Sequence, residues 1–268
     1  MQDMIPPQGS AGRFRVFADG RLHGKSPGLV AGYSTALAPM TDRELDGRLG
    51  PLLENEMGVA AGPRILLDQH HSADVIPWQG IASGYNARGA SQLAGDGICG
   101  QSSLAKSGPA LFVIKTADCV PLLAFDQGTG AFAGLHAGWR GAAAGILPNL
   151  LDQWQRDGSD PGGVMLSLGP HIGSCCYEVG PDCLHGFSRT DLQGAVTEGR
   201  ERPMLSLARV LENQALRLGV PPGNIFADPR CTCCHVESGG EHPFASHRRS
   251  TRQGSLPAGR NISFIGLG

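Results

Sequence analysis

The sequence has no basic excess: 22 Lys and Arg stand against 24 Asp and Glu, a formal net charge of -2. A protein that grips nucleic acid or an anionic membrane through charge shows the opposite balance. No apolar run approaches the ~20 residues of a membrane-spanning helix. The opening stretch MQDMIPPQGSAGRFRVF lacks the apolar core of a signal peptide. These absences predict a cytoplasmic protein whose partners are small molecules, not nucleic acid or membrane. Several catalytic signatures are also missing. There is no G-x-S-x-G elbow and no H-E-x-x-H helix. Gly20 to Lys25 has three residues between its glycines where a P-loop needs four. Gly95 to Gly100 fits G-x-G-x-x-G by letter, but no strand is expected before it and no helix after it, so it reads as a chance match. No His-x-His pair occurs, which weighs against the trinuclear copper centre of a blue multicopper oxidase.

What is present is an ordinary globular composition, 41% hydrophobic and 17% charged over 268 residues, with 40 Gly and 19 Pro. So much Gly and Pro predicts many turns and short elements. Residues 1–28 read as a lead-in with one strand at Arg13–Phe17, and residues 29–268 as a single domain. Strands are expected at Arg64–Leu67, Ala110–Thr116, Val120–Phe125, Gly130–His136, Val164–Leu168, Ile225–Phe226 and Ile262–Ile265. Helices are expected at 41–58, with Thr41 as N-cap, at Gly138–Gln155, and at 203–219, whose leucines and valines fall at helical spacing. Residues 82–108 read as a long loop. Strands and helices mix throughout, so the class is α+β.

Three segments carry metal-ligating side chains near strand ends: Gln69-His70-His71, Asp118-Cys119 and His136. Two imidazoles and one thiolate suit zinc, and three protein ligands leave the open fourth position of a catalytic site. The same residues are also compatible with a buried core thiol and a hydrogen-bonded core histidine. Arg140, near an expected helix start, is a candidate anion holder. Cys231-Thr232-Cys233-Cys234-His235 has the look of a second metal cluster. Its only nearby partner, the adjacent pair Cys175-Cys176, has the wrong spacing for a regular structural zinc site, so a turn with incidental thiols is the expectation. Ser246-His247-Arg248-Arg249 reads as a basic turn or an anion site.

Five blocks in order carry a resemblance: Gln69-His70-His71-Ser72; Thr116 to Pro121; His136-Ala137-Gly138-Trp139-Arg140-Gly141; Gly169 to Val179; and Cys231-Thr232 followed by Phe244 to Arg249 and Gly259-Arg260. In these the chain resembles the bacterial YfiH/YlmD family, also called laccase-domain or polyphenol-oxidase proteins. The resemblance spans roughly residues 64–265. It implies a layered α/β/β/α sandwich, the fold shared with certain deamidating toxins. It implies zinc, or copper as the alternative, on His71, Cys119 and His136. It implies phosphorolysis of adenosine or inosine, with adenosine deamination in some members, and makes Arg140 and Arg248 natural holders of phosphate. Copper-dependent phenol oxidation has been attributed to the same family. One departure stands out: Ala36 replaces an arginine usual after Tyr33-Ser34-Thr35. Three other readings stay open at this point: a cysteine hydrolase using Cys119, a copper phenol oxidase, and a metal-binding protein without catalysis.

Overall fold

A computed structural model describes residues 16–26, 28–37, 50–51, 54–55, 64–78, 93–101, 110–255 and 259–267. Two mixed sheets face each other. The first runs β1 (Val16–Ala18), β2 (Leu29–Leu37), β13 (Arg260–Leu267), β6 (Ala110–Thr116), β3 (Arg64–Leu66), and the second runs β12 (Ile225–Ala227), β9 (Val164–Leu168), β7 (Val120–Asp126), β8 (Ala131–Ala137), β5 (Gly97–Gln101), β4 (Val75–Pro77). The class is α+β.

Strand alternation builds the layers. On β7, Leu123 and Phe125 meet Phe112 and Ile114 of β6 and Ile265 of β13 in the core between the sheets. Val120, Leu122 and Ala124 of the same strand face the other way, into a second core under the helices. That core is closed by α1 (Trp139–Ala143), α2 (Ile146–Arg156) and α4 (Leu207–Arg217), while α3 (Pro181–His185) contributes Cys183. The outer face of the first sheet is covered as well: Leu66, Leu111, Val113, Ile262 and Phe264 are all buried.

Most expected strands lie within a residue or two of their place. The helix expected over Gly138–Gln155 is two helices, because Gly145 adopts φ 88° and breaks the run. The helix expected over 203–219 begins later, since Met204 and Leu205 form β11 with β10 (Val196–Thr197), and Ser206 then caps the first turn by accepting from the Arg209 N–H at 3.2 Å. The stretch expected to be a long loop contains β5, which pairs with β8 and β4. Its alternation is hidden because both faces of β5 are buried and Gly97 and Gly100 stand in it. The helix expected at 41–58 lies almost wholly outside the described residues.

A buried polar relay ties the first sheet to the second. The Tyr33 hydroxyl donates to Ser167 Oγ at 2.9 Å, and Ser167 donates to Asp19 Oδ2 at 2.5 Å. Burial, then the Asp19 charge, push the Tyr33 phenol well above its ordinary pKa, so it stays a donor. Gly169 lies flat against that ring; a Cβ there would stand 2.2 Å from Tyr33 Cε1. Since the ring is fixed at both ends, Gly169→Ala is expected to cost about 1–3 kcal/mol of overpacking. At roughly 2–4 °C per kcal/mol, thermal denaturation should show a drop of several degrees. Gly223→Ala, whose Cβ meets nothing within 4 Å, should leave the transition in place.

Candidate metal centre

The chain between β6 and β7 turns sharply at Asp118, where φ is 96°, outside the region most side chains adopt. Three bonds hold the turn: Asp118 accepts from Thr232 Oγ1 and from the Arg248 N–H, both at 2.7 Å, and its carbonyl accepts from the Ile172 N–H at 2.9 Å. Cys119 follows directly and points into the space beside His136, at the end of β8. His71 comes from the loop after β3. Its φ is 67°, a second strained backbone at the same place. Gln69 sets the loop's position by pairing its amide with the Lys115 backbone, 2.8 Å to the carbonyl and 2.9 Å from the N–H.

Ligand atoms of His71, Cys119 and His136 all lie within 4.8 Å of one another. The rings of His71 and His136 stand edge to face, 4.9 Å between centroids, and Cys119 Sγ is 3.9 Å from His71 Nε2. Gly138 lets the backbone pass close: a Cβ there would stand 2.8 Å from His71 Cδ2 and 3.2 Å from Cys119 Sγ. His70, the neighbour that spacing alone could have favoured, is exposed and faces Asp68 and Asp74.

Asp96 organises the centre, and sequence reasoning passed over it as the second letter of a chance glycine pattern. It is fully buried. It accepts from the N–H groups of His70 (3.2 Å), His71 (3.0 Å) and Ser72 (2.6 Å), from Ser72 Oγ (2.9 Å), and from His136 Nδ1 (2.7 Å). Burial pushes its carboxyl up, but these donors outweigh that and hold it well below the usual carboxylate range. His136 responds in kind. Burial lowers its pKa, yet the Asp96 bond and the nearby Cys119 sulfur bring it up to about 9. The Cys119 thiol is lifted by burial and lowered more by the two histidines, ending at about 7. With Nδ1 of His136 committed to Asp96, its Nε2 is the atom left for an ion, the carboxylate–histidine arrangement that orients metal ligands. A soft thiolate, two imidazoles and a buried carboxylate behind one of them fit a borderline-soft divalent ion.

The two arginines are placed differently. Arg248 is half-buried; it donates to the carbonyls of Cys176 (3.2 Å) and Glu178 (3.0 Å) and lies 5.5 Å from the centre of the Tyr177 ring. Through its own N–H on Asp118 it adjoins the centre. The solvated basic turn is thus a helix, α5 (His247–Arg252), capped by Ser246 and packed against the loops. Burial raises the Tyr177 phenol, with the Cys183, Cys119 and Asp118 charges adding to the rise and Arg248 opposing it, so the phenol shares the electrostatic surroundings of the centre. Arg140 is exposed and stacks 4.4 Å over Trp139. Its helix α1 is a single turn of five residues, too short for the dipole-assisted anion site expected of a longer helix start. A separate cavity of about 260 Å³ lined by Trp78, Cys99, Gln101, Gln153, Trp154 and Asp157 shares no residue with the centre. Burial lifts its thiol, Cys99, to about 11, which leaves it inert.

Comparison with known proteins places this geometry. Residues 23–268 match the family described as multi-copper polyphenol oxidoreductase laccase. A purine nucleoside phosphorylase of Deinococcus radiodurans is 32% identical over 253 residues, 92% of this chain and 87% of that protein. The purine nucleoside phosphorylase YlmD of Geobacillus stearothermophilus is 31% identical over 208 residues, 75% of this chain and 71% of the relative. A crystal structure of YlmD from that organism aligns with a TM-score of 0.76 at 26% identity, over 97% of this chain and 98% of that one. The adenosine deaminase RL5, from an unknown prokaryotic organism, is 30% identical over 129 residues, 47% of this chain and 49% of the relative.

Proposed function

This chain belongs to the multi-copper polyphenol oxidoreductase laccase family, the family of the YfiH and YlmD proteins, and from that premise we propose that it is a metal-dependent purine nucleoside phosphorylase acting on adenosine or inosine. One observation carries the reading: His71, Cys119 and His136 converge around one point, backed by buried Asp96, in a chain whose relatives bear that activity in their names. His71 Nε2, Cys119 Sγ and His136 Nε2 would hold the ion, zinc first and copper as the alternative. When bound, it supplies Lewis acidity at an open coordination position.

The rest of the work falls to the chain. In phosphorolysis a phosphate oxygen bonds to C1′ as the bond from C1′ to the purine nitrogen breaks, and the purine leaves with that electron pair and takes up a proton. The sugar passes through a cationic transition state, so a dianion held beneath C1′ stabilises it. Arg248, held beside Asp118 by two carbonyls and the Tyr177 ring, would give its remaining N–H groups to phosphate. Arg140 adds a second positive charge from the start of α1. The positive-φ turns at His71 and Asp118, each held by several hydrogen bonds, set the direction of the His71 and Cys119 side chains.

A second reading has its own support. Without an ion, a thiol at about 7 beside a histidine at about 9 is a thiolate–imidazolium pair, the form taken by a cysteine nucleophile. The deciding assay incubates purified protein of known metal content with adenosine and inosine, with and without phosphate. Phosphate-dependent release of adenine or hypoxanthine with ribose-1-phosphate is expected. Conversion of adenosine to inosine alone would replace phosphorolysis by deamination. Turnover that survives chelation and stops on alkylation of one thiol would hand the site to the cysteine reading.

A further inference from the structure

A second convergence of ligands lies outside this centre, and it reverses the sequence-based view of residues 231–235 as a turn with incidental thiols. The Sγ atoms of Cys175, Cys176, Cys231 and Cys234 all lie within 4.8 Å of one another. We propose that these four cysteines form a separate structural zinc site that clamps the loop after β9 to the loop after β12.

The distances fit. A tetrahedral ion at about 2.3 Å from each sulfur separates the sulfurs by roughly 3.8 Å. Cys175 and Cys234 stand 3.5 Å apart, well beyond the ~2.05 Å of a disulfide, and all four are free thiols. Packing alone would not aim four sulfurs from two distant segments at one point, two of them on exposed residues. The backbone favours thiolate at Cys231. The Gly173 N–H donates to Cys231 Sγ at 3.2 Å, and a Cβ on Gly173 would crowd Cys175 Sγ at 3.2 Å. Residues 171 and 231 form a β-bridge, with the Thr232 N–H on the His171 carbonyl at 2.9 Å, which brings the two loops into register.

Charge fits too. Zinc with four thiolates is a dianion, and two guanidinium groups bond to the loops that carry the cysteines. Arg248 donates to the Cys176 carbonyl; Arg249 donates to the carbonyls of Thr232 (2.7 Å) and Cys233 (3.0 Å). Such outer partners are the usual complement of a metal site. The spacing rule that argued against the site assumes paired Cys-x-x-Cys knuckles. Here only Cys231 and Cys234 have that spacing, and the adjacent pair completes the set from the other loop. The clamp adjoins the supports of the first centre: Thr232, which holds the strained Asp118 turn, sits on one clamped loop, and Arg248, which holds it too, donates to the Cys176 carbonyl of the other.

The test is metal content by plasma mass spectrometry on the full chain purified with reductant. About two zinc ions per chain are expected, falling to about one in His71→Ala, which leaves the four cysteines intact, and to one or fewer in Cys231→Ser/Cys234→Ser. Cobalt substitution gives a readout that survives misfolding of the cysteine variant: His71→Ala loaded with Co²⁺ should show intense thiolate-to-cobalt charge transfer, about four times that of a site with one thiolate. A His71→Ala protein with no metal and no such bands would overturn the proposal. So would a Cys175–Cys234 disulfide, found by peptide mass in metal-free protein as isolated. The proposal is independent of the nucleoside reading, and loss of nucleoside turnover alone does not bear on it.

Discussion

Asp96→Asn should weaken metal binding at the first centre by about 10–100-fold, the range for loss of an outer-shell carboxylate, and destabilise the metal-free protein by about 3–5 kcal/mol, the cost of breaking a buried ion pair. The reason is geometric. One carboxylate oxygen takes the His71 N–H and His136 Nδ1, and the other takes the N–H groups of His70 and Ser72 and the Ser72 hydroxyl. An asparagine turned either way keeps an oxygen for one set only and aims its NH₂ at the donors of the other. Asp74→Asn, on an exposed residue of the same loop, should change neither metal content nor melting.

The same pair sets a pH dependence in protein stripped with chelator. Asp96 has a lowered pKa, so it adds stability above about pH 3.8 that is lost as pH falls toward its folded value. His136 has a raised pKa, so its contribution is complete below 6.5 and lost as pH rises through about 9. Cys119, with its thiol lowered to about 7 beside the same histidine, runs the other way, because its thiolate adds stability that grows as pH rises from 7 toward 9. The two largely offset in the stripped wild type, whose thermal stability should change little between pH 7 and 9. Stripped Cys119→Ala protein keeps the Asp96 bond on His136 without the opposing thiolate and should lose stability over that range. A flat profile in Cys119→Ala as well would mean that Asp96 does not hold a proton on His136.

How much of this was legible beforehand follows from range. The continuous apolar run at Ala110–Thr116, buried on both faces, and the helical spacing around Leu207–Arg217 are written in local pattern. The three residues proposed as ligands were nameable because His and Cys are few and stand near strand ends. Asp96 was not, because one aspartate among many gains its meaning only when β5 pairs with β8 and delivers it to His136, 40 residues away. The convergence of the four cysteines is hidden for the same reason: its two halves lie 58 and 59 residues apart by the contacts that join them. Nor does local pattern say that the last strand, β13, inserts between β2 and β6. The departure at Ala36 has a plain setting in β2 opposite Asn261, with its N–H on the Pro243 carbonyl at 2.8 Å. The stretch after it, residues 38–49, lies outside the described residues.

Cys119→Ala is expected to abolish turnover and to cost more than the ~100-fold in metal affinity that marks the upper end for an outer-shell loss, since it removes a ligand outright. On its own that result fits a metal ligand and a nucleophile equally, so Cys119→His is the informative partner. An imidazole can replace a thiolate at zinc, and His₃ is a known catalytic ligand set, but it cannot replace a thiolate nucleophile in a covalent step. If the sulfur serves the ion, Cys119→His should keep about one zinc at this centre and a measurable fraction of turnover. If the sulfur attacks substrate, it should keep metal and show none. Alkylation adds an arm that needs no variant. At pH 7 a thiol near 7 is about half ionised, whereas Cys99 near 11 is almost wholly protonated, so iodoacetamide should modify Cys119 well before Cys99 in stripped protein. Zinc at the ligand set would occupy the same lone pairs and protect it. Rapid modification of Cys119 with zinc bound at full occupancy would place the sulfur outside the metal's coordination and leave it free as a nucleophile.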